Sequence, residues 1–405
     1  MITSKQALQI ILENTIDFGI EQVPFMNSLG RTLKEDIVAD RDFPPFNRVS
    51  MDGIAINYTE FQKGKRHFTI EGIQAAGSEQ LYLRSDENCL EVMTGAMLPE
   101  NTDSVIPYEQ VIIEAGKAMV TVSAITQGQN VHKKGHDRKE GTLLLRSNTL
   151  ISPAETGVLT TVGKAVVSVS GLPKVMIIST GDELVPVSEK PLPHQIRRSN
   201  VYTLTALLEQ LKIKAETDHI TDDKPLLKKK IEKYLNEFDV LLFSGAVSKG
   251  KFDYLPEVLD ELGVKKMFHG VQQRPGKPFW FGVRDLREKS KTDKTVVFAF
   301  PGNPVSTFVG CLKYFYPWYR KSAWLDFQNR HSAILAEDFN FKPALTYFLQ
   351  VKLKNENGKL MAYPIVGHGS GDLANLADAD AFLELPDNRN EFKKDEVFPL
   401  IIYRM

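Results

Sequence analysis

Cysteine is almost missing from this sequence, with Cys89 and Cys311 the only two. That scarcity excludes a disulfide framework as the source of stability and fits a reducing, cytoplasmic setting. Neither sign of charge is in excess, since 50 Lys and Arg face 51 Asp and Glu. Bulk electrostatics therefore point to neither nucleic acid nor a membrane surface as a partner. No apolar run reaches the roughly 18 residues that a membrane-spanning helix needs. The opening MITSKQALQIILEN has a helix cap, at Thr3 or Ser4, and apolar residues at helical spacing in place of a signal peptide's apolar block. Internal repeats and low-complexity tracts are absent, and the Lys228-Lys229-Lys230 cluster reads as a solvated helix face. What is present is an ordinary apolar share, 42% of 405 residues, enough for about two or three cores.

Two textures divide the chain. A helix is expected over 4–18, with Leu8, Ile11, Leu12 and Ile16 on one stripe. From about 23 to 150, short apolar runs (FTIEGI, CLEVMTG, SVIPYEQVII, AMVTVSAI) alternate with Gly, Pro and Asn, which argues small β-rich units. Near Lys174 the pattern changes. VMIIST (175–180) is continuously apolar, as a strand covered on both faces is. A helix over 199–212 follows, capped by Ser199 or Asn200, then a helix with Pro225 in its first turn, strand 239–243 and helix 254–262. FWFGV (279–283), TVVFAF (295–300) and a helix opened by Asn303-Pro304 complete an alternation that predicts a parallel, doubly wound α/β sheet over roughly 174–322. Beyond about 327 strand-like runs return and suggest a small terminal β domain.

In open α/β sheets, ligands bind outside the carboxyl ends of the strands. Acids stand at three such ends: Asp182 and Glu183, Asp222-Asp223, and Asp253. Gathered at one edge they repel, by on the order of 4 kcal/mol per pair at about 4 Å and an effective dielectric near 20. A hard cation such as Mg²⁺, held by one or two carboxylates plus substrate phosphates, relieves that repulsion. The plainer alternative is helix capping, by Asp253 before Tyr254 and by Asp222 or Asp223 before 224–235. The Gly/Ser loop after strand 239–243 offers backbone N–H groups to a phosphate. Arg274-Pro275-Gly276-Lys277-Pro278 is a rigid basic turn suited to a dianion, although a basic turn alone is usually only surface. PGNPVS (301–306) is either a well-made helix start or an anion seat. Upstream, Asp52, Thr94 and Asp137 lie in β-rich turns, where acids ordinarily just form turns.

With these motifs in place, the chain resembles the molybdopterin molybdenumtransferases, the MoeA and gephyrin E-domain family, essentially from end to end. The likeness rests on SMDGIA (50–55), MTGAMLPENTDSV (93–105), GHD (135–137), STGDEL (179–184), SGAVSKGKFD (244–253), RPGKP (274–278), FPGNPVS (300–306) and GHGSGD (367–372). Eight motifs in the family's order are specific where any one alone is not.

The resemblance implies a multidomain α/β plus β protein of four subdomains: a linker β-domain (23–40 and 143–171), a β-rich domain (41–142), a molybdopterin-binding α/β domain (1–22 and 172–326) and a C-terminal β-barrel-like domain (327–405). It implies a homodimer whose active site joins the α/β domain of one subunit to the β-rich domain of the other. The implied reaction takes adenylated molybdopterin and molybdate, with Mg²⁺, to molybdenum cofactor and AMP. Catalytic positions would be Asp52, Asp137, Glu183, Asp223, Asp253 and Lys277, with Glu183, Asp223 and Asp253 at the metal. Binding positions would be Thr94, Gly181, Asp182, Ser244, Gly245, Ser248, Gly250, Arg274, Gly276, Pro278, Pro301, Gly302, Asn303, Ser306 and Ser370. A molybdopterin adenylyltransferase is an implied partner, and a non-catalytic molybdopterin-binding scaffold is the competing role. Departures from the family pattern are Ala246 for a loop glycine, Arg274 for Lys, His136 for Glu, His132 for Arg, and Leu345 for an Arg whose work Ser370 or Lys352 would take over.

Overall fold

The computed structural model describes residues 1–247, 253–285, 294–328, 330–367 and 369–404. The chain divides into two compact units, residues 1–34, 148–152 and 166–405 forming the first, and residues 35–147 and 153–165 the second. Among the described residues no helix is long and apolar enough to cross a membrane.

The first unit is built on a six-stranded sheet. Its strands are β1 (Val175–Thr180), β2 (Ala215–Ile220), β3 (Val240–Ser244), β4 (Lys265–His269), β6 (Trp280–Asp285) and β7 (Lys294–Phe300), with β5 (Val271–Arg274) outside it. Their order is β2-β1-β3-β7-β6-β4. β2, β1, β3 and β7 run parallel, as the alternation predicts. β6 and β4 instead form antiparallel pairs at the edge, which corrects the expectation of an all-parallel sheet. The physical reason is that β6 returns from β4 through β5 and the basic turn, with no crossover helix to reverse it.

Successive side chains in a strand point to opposite faces, and the apolar run of β1 uses both. Val175 and Ile177 face one core with Val240, Leu242, Val296 and Phe298, while Met176 and Ile178 face the other with Leu241, Phe243 and Val297. Helices cover both. α1 (Ser4–Leu12) and α2 (Ser199–Gln210) pack on the first core through Ala7, Ile11, Val201, Leu204 and Leu208. α3 (Lys224–Glu237) and α4 (Leu255–Glu261) cover the second through Leu227, Ile231, Val258 and Leu259. Each such side chain contributes about 1.5–3 kcal/mol of burial.

α1 is shorter than expected. Thr3 caps it in a capping box with Gln6, and it ends at Leu12, although Ile16 still reaches the core. After β7, α5 (Pro304–Gly310) runs through a π-helical turn, Cys311–Phe315, into α6 (Tyr316–Ser322). The chain then forms β8 (Ser332–Leu335), β9 (Thr346–Glu356), β10 (Lys359–Pro364), β11 (Ala381–Leu385) and β12 (Val397–Ile402). Because β9 pairs with both β10 and β11, these five close into a barrel around Leu349, Val351, Leu383 and Leu400.

The second unit carries a six-stranded sheet in the order Ser104–Pro107, Gly53–Ile56, Cys89–Val92, His67–Gln74, Lys117–Val120, Val111–Glu114. Gly53 is required there, since a Cβ would stand 1.9 Å from the Ile106 carbonyl oxygen. That close approach fixes the neighbouring Asp52 at the sheet's end.

Candidate functional site

A cleft of about 740 Å³ opens in the first unit at the carboxyl ends of β1, β3 and β7. The loops after these strands bring Gly181 and Glu183, Gly245 and Ala246, and Pro301, Gly302 and Asn303 to one wall. Asp222, after β2, and Asp253, ahead of α4, join them. The cleft is completed by Arg274, Gly276, Lys277 and Pro278 from the turn between β5 and β6, together with Leu345 and Ser370 from the barrel segment.

The loops are strapped to one another. Gly181 adopts φ +126°, and a Cβ there would meet the Glu183 carboxylate at 2.4 Å, so this turn requires glycine. Asp182 accepts the Asp222 N–H at 3.1 Å, bracing that loop, and does not itself line the cleft. Asn200 donates to Ser244 Oγ at 2.8 Å and to the Gly302 carbonyl at 2.7 Å, tying α2 to the loops after β3 and β7. Asn303 donates to Ser370 Oγ at 2.8 Å, and the Val305 N–H to the Ser370 carbonyl at 3.1 Å, which joins the barrel's loop to the start of α5.

The geometry gives several expected positions a defined place. Asp223, expected at the metal, accepts the Leu226 N–H at 2.7 Å as the N-cap of α3 and does not line the cleft. Its neighbour Asp222 lines the cleft, because the residue immediately before the first helical position is the one whose side chain is drawn into capping. Asp182 braces rather than lines. Asp253 stands one residue ahead of the N-cap Tyr254, so it is not a cap. Neither Ser199 nor Asn200 caps α2; the N-cap is Arg198, with no side-chain hydrogen bond. Lys352, weighed as a substitute for the Arg missing at Leu345, is held by Asp380 at 2.9 Å and lies off the cleft. Ser306 is buried in the cleft wall at 2% exposure. Ser248 and Gly250 lie outside the described residues.

The acids feel one another. Partial burial and then the charges of Asp182, Glu183 and Asp253 raise the Asp222 carboxyl above its ordinary value. Hard oxygen donors under mutual repulsion suit Mg²⁺. Among the described residues no three Asp, Glu, His or Cys side chains form a ready-made metal group. The donor set therefore fits an ion held by one or two carboxylates and completed by a ligand's own phosphates. Lys277 and Arg274 form no salt bridge among the described residues, and both are exposed to the cleft.

Asp52, Thr94 and Asp137 belong to the second unit. Thr94 donates through N–H at 2.6 Å and Oγ1 at 2.7 Å to one Asp52 oxygen, and these bonds lower the Asp52 carboxyl. His132 Nε2 lies 2.8 Å from Asp137 Oδ1, and Arg48 Nη2 lies 3.2 Å from His132 Nδ1. Since arginine only donates, Nδ1 accepts and Nε2–H points at Asp137. Sequence reading missed Thr180, Arg197, Arg198 and Asn200 on the cleft wall. The available signal was the Arg pair directly ahead of a Ser-Asn helix start.

Residues 2–163 match the family described as MoeA N-terminal region (domain I and II), residues 176–321 the probable molybdopterin binding domain, and residues 332–403 the MoeA C-terminal region (domain IV). The chain is 42% identical over 402 residues to the molybdopterin molybdenumtransferase of Synechocystis sp., covering 98% of this chain and 99% of that one. It is 30% identical over 396 residues to the protein of the same name from Bacillus subtilis, covering 95% and 90%. The crystal structure of a molybdopterin biosynthesis MoeA protein from Pyrococcus horikoshii superposes over the whole of both chains with a TM-score of 0.82 at 29% identity.

Proposed function

This chain belongs to the MoeA family of molybdopterin molybdenumtransferases, and from that premise we propose that it performs the Mg²⁺-dependent transfer of molybdate to adenylated molybdopterin, with release of AMP. The observation that carries the reading is one cleft that gathers clustered carboxylates at strand ends and a basic turn forming no salt bridge among the described residues. A phosphorylated guest with a divalent ion would satisfy the acids, and an oxyanion would satisfy the cations.

In this reading one or two of Glu183, Asp222 and Asp253 would hold Mg²⁺ against the pyrophosphate, and the ion would supply charge neutralisation at phosphorus. Lys277 and Arg274 would bind molybdate, a tetrahedral dianion, as charged donors on a Pro/Gly frame that loses little entropy on binding. The start of α5, with Ser306 in its first turn and Ser370 tied to Asn303, would add dipole and hydroxyl donors. Gly181, Ser244, Gly245, Gly276, Pro278, Pro301 and Gly302 would shape the wall against the pterin and phosphates. The chain's contribution is positioning and charge stabilisation rather than covalent chemistry.

The reading divides the chain into the four subdomains given above. It makes the protein a cytoplasmic homodimer in which Asp52, Thr94 and Asp137 of one subunit serve the cleft of the other. An adenylyltransferase supplying the substrate would be its partner. The test is direct: purified protein, adenylated molybdopterin, molybdate and Mg²⁺ are combined, and AMP is measured by chromatography. AMP formed only with all components supports the reading, and its absence sinks it.

A further inference from the structure

Among the described residues, seven buried side-chain nitrogen or oxygen atoms lack a hydrogen-bond partner, and two of them, Thr180 Oγ1 and Arg198 Nε, belong to residues on the wall of this cleft. Thr180 is only 7% exposed, so its idle hydroxyl is not compensated by bulk water. Arg198 is the more telling. Its backbone is fixed, because its N–H donates to the Val185 carbonyl at 3.0 Å while the Ile196 N–H donates to the Glu183 carbonyl at 2.9 Å. The short parallel pairing of Leu184–Val185 with Ile196–Arg197 therefore straps the arginine loop to the acid loop. This arginine shares the cleft wall with Glu183, yet among the described residues it forms no salt bridge. Its charge still reaches His219, whose basicity it helps to lower after the larger effect of burial.

Arg198 is also the N-cap of α2, a helix of 12 residues whose first N–H groups have no side-chain cap. The open helix start, the idle Arg198 Nε–H and the idle Thr180 hydroxyl thus present donors in one cleft. A buried donor left idle is costly unless a ligand completes it. We propose that Arg198, assisted by Thr180 Oγ1 and the start of α2, seats a phosphate of the nucleotide-linked substrate. This rests on the reading that the cleft takes adenylated molybdopterin, and it deepens that reading. Lys277 and Arg274 serve the molybdate, whereas Arg198 is strapped to the acid loop that would hold Mg²⁺, the place where a pyrophosphate must lie.

The test uses the full-length protein with AMP and Mg²⁺ as the probe and adenosine as the uncharged control, followed by calorimetry and by thermal melting. Wild type binds AMP and not adenosine, and AMP raises its melting temperature. Arg198→Met, which keeps the aliphatic stem, weakens AMP about ten- to hundredfold. Its ligand-free melting temperature stays level or rises, because an idle buried donor has been removed. Arg198→Lys restores part of the affinity through charge without the fork. Thr180→Val weakens AMP by about three- to tenfold. Wild-type AMP binding that Arg198→Met leaves unchanged overturns the seat while leaving the broader reading intact. A ligand-free melting temperature that drops, with AMP affinity preserved, assigns Arg198 a structural role and also overturns it. Failure of wild type to bind AMP at all overturns the broader reading and the seat with it.

Discussion

Ala246 sits at φ +55°, in the left-handed region that a side chain disfavours by about 1–2 kcal/mol. Its methyl packs partly against the core under α3 and α4, which returns about 0.8 kcal/mol of that strain. These effects nearly cancel, so Ala246→Gly is expected to change stability by less than about 1 kcal/mol. Ala246→Val adds a β-branch in the same conformation and should cost about 2 kcal/mol or more. Urea midpoints of the two variants check this, and a Val variant as stable as the parent would show the loop free to leave φ +55°. The two thiols, by contrast, are inert by placement. Both Cys89 and Cys311 are buried and unpaired, and burial pushes the Cys89 thiol up to about 12.

At the scale of elements, the turn from β2 into α3 assigns adjacent aspartates to opposite tasks. Asp223→Ala should lose the cap of α3, about 1 kcal/mol of stability, and keep AMP release. Asp222→Asn should keep or slightly raise stability at neutral pH and lose Mg²⁺-dependent release. Its pH signature has a definite sign. The folded state holds Asp222's proton more tightly than the unfolded state does, so its contribution to stability falls as pH rises from the ordinary carboxylate value through the raised one. Asn at 222 removes that fall, and melting curves across the acid range would show it. Reversal of the two phenotypes would return the metal role to Asp223. The strand-end rule placed the acids Glu183 and Asp253 on the cleft from the sequence alone. It could not choose between Asp222 and Asp223, because capping depends on a helix start known only to within a residue or two. Likewise Ser199 and Asn200 looked like caps, which hid Asn200's bonds to Ser244 and Gly302 and the idle Arg198. The reversed direction of β6 was also illegible, since any strand covered on both faces reads as one continuous apolar run.

On the scale of the whole molecule, the proposed homodimer draws Asp52 and Asp253 into one site from different chains. Asp52→Asn and Asp253→Asn should each be inactive alone. Mixing them after subunit exchange should recover about a quarter of wild-type activity, because half of the dimers are mixed and each has one intact site. No recovery in an exchanged population would place each site within a single subunit. The end-to-end likeness was visible in eight motifs and implied the barrel-like terminal domain, whereas the strands that close it were not legible, since closure depends on the β9–β11 pairing that no local pattern encodes. In the proposed reading, carboxylates at the strand ends are tolerable because a divalent ion and a pyrophosphate would complete them. AMP release from adenylated molybdopterin, compared between wild type and Asp253→Asn with and without Mg²⁺, tests it most directly. Release that needs both Mg²⁺ and Asp253 is the predicted result; release undiminished by chelation or by the substitution would contradict the account.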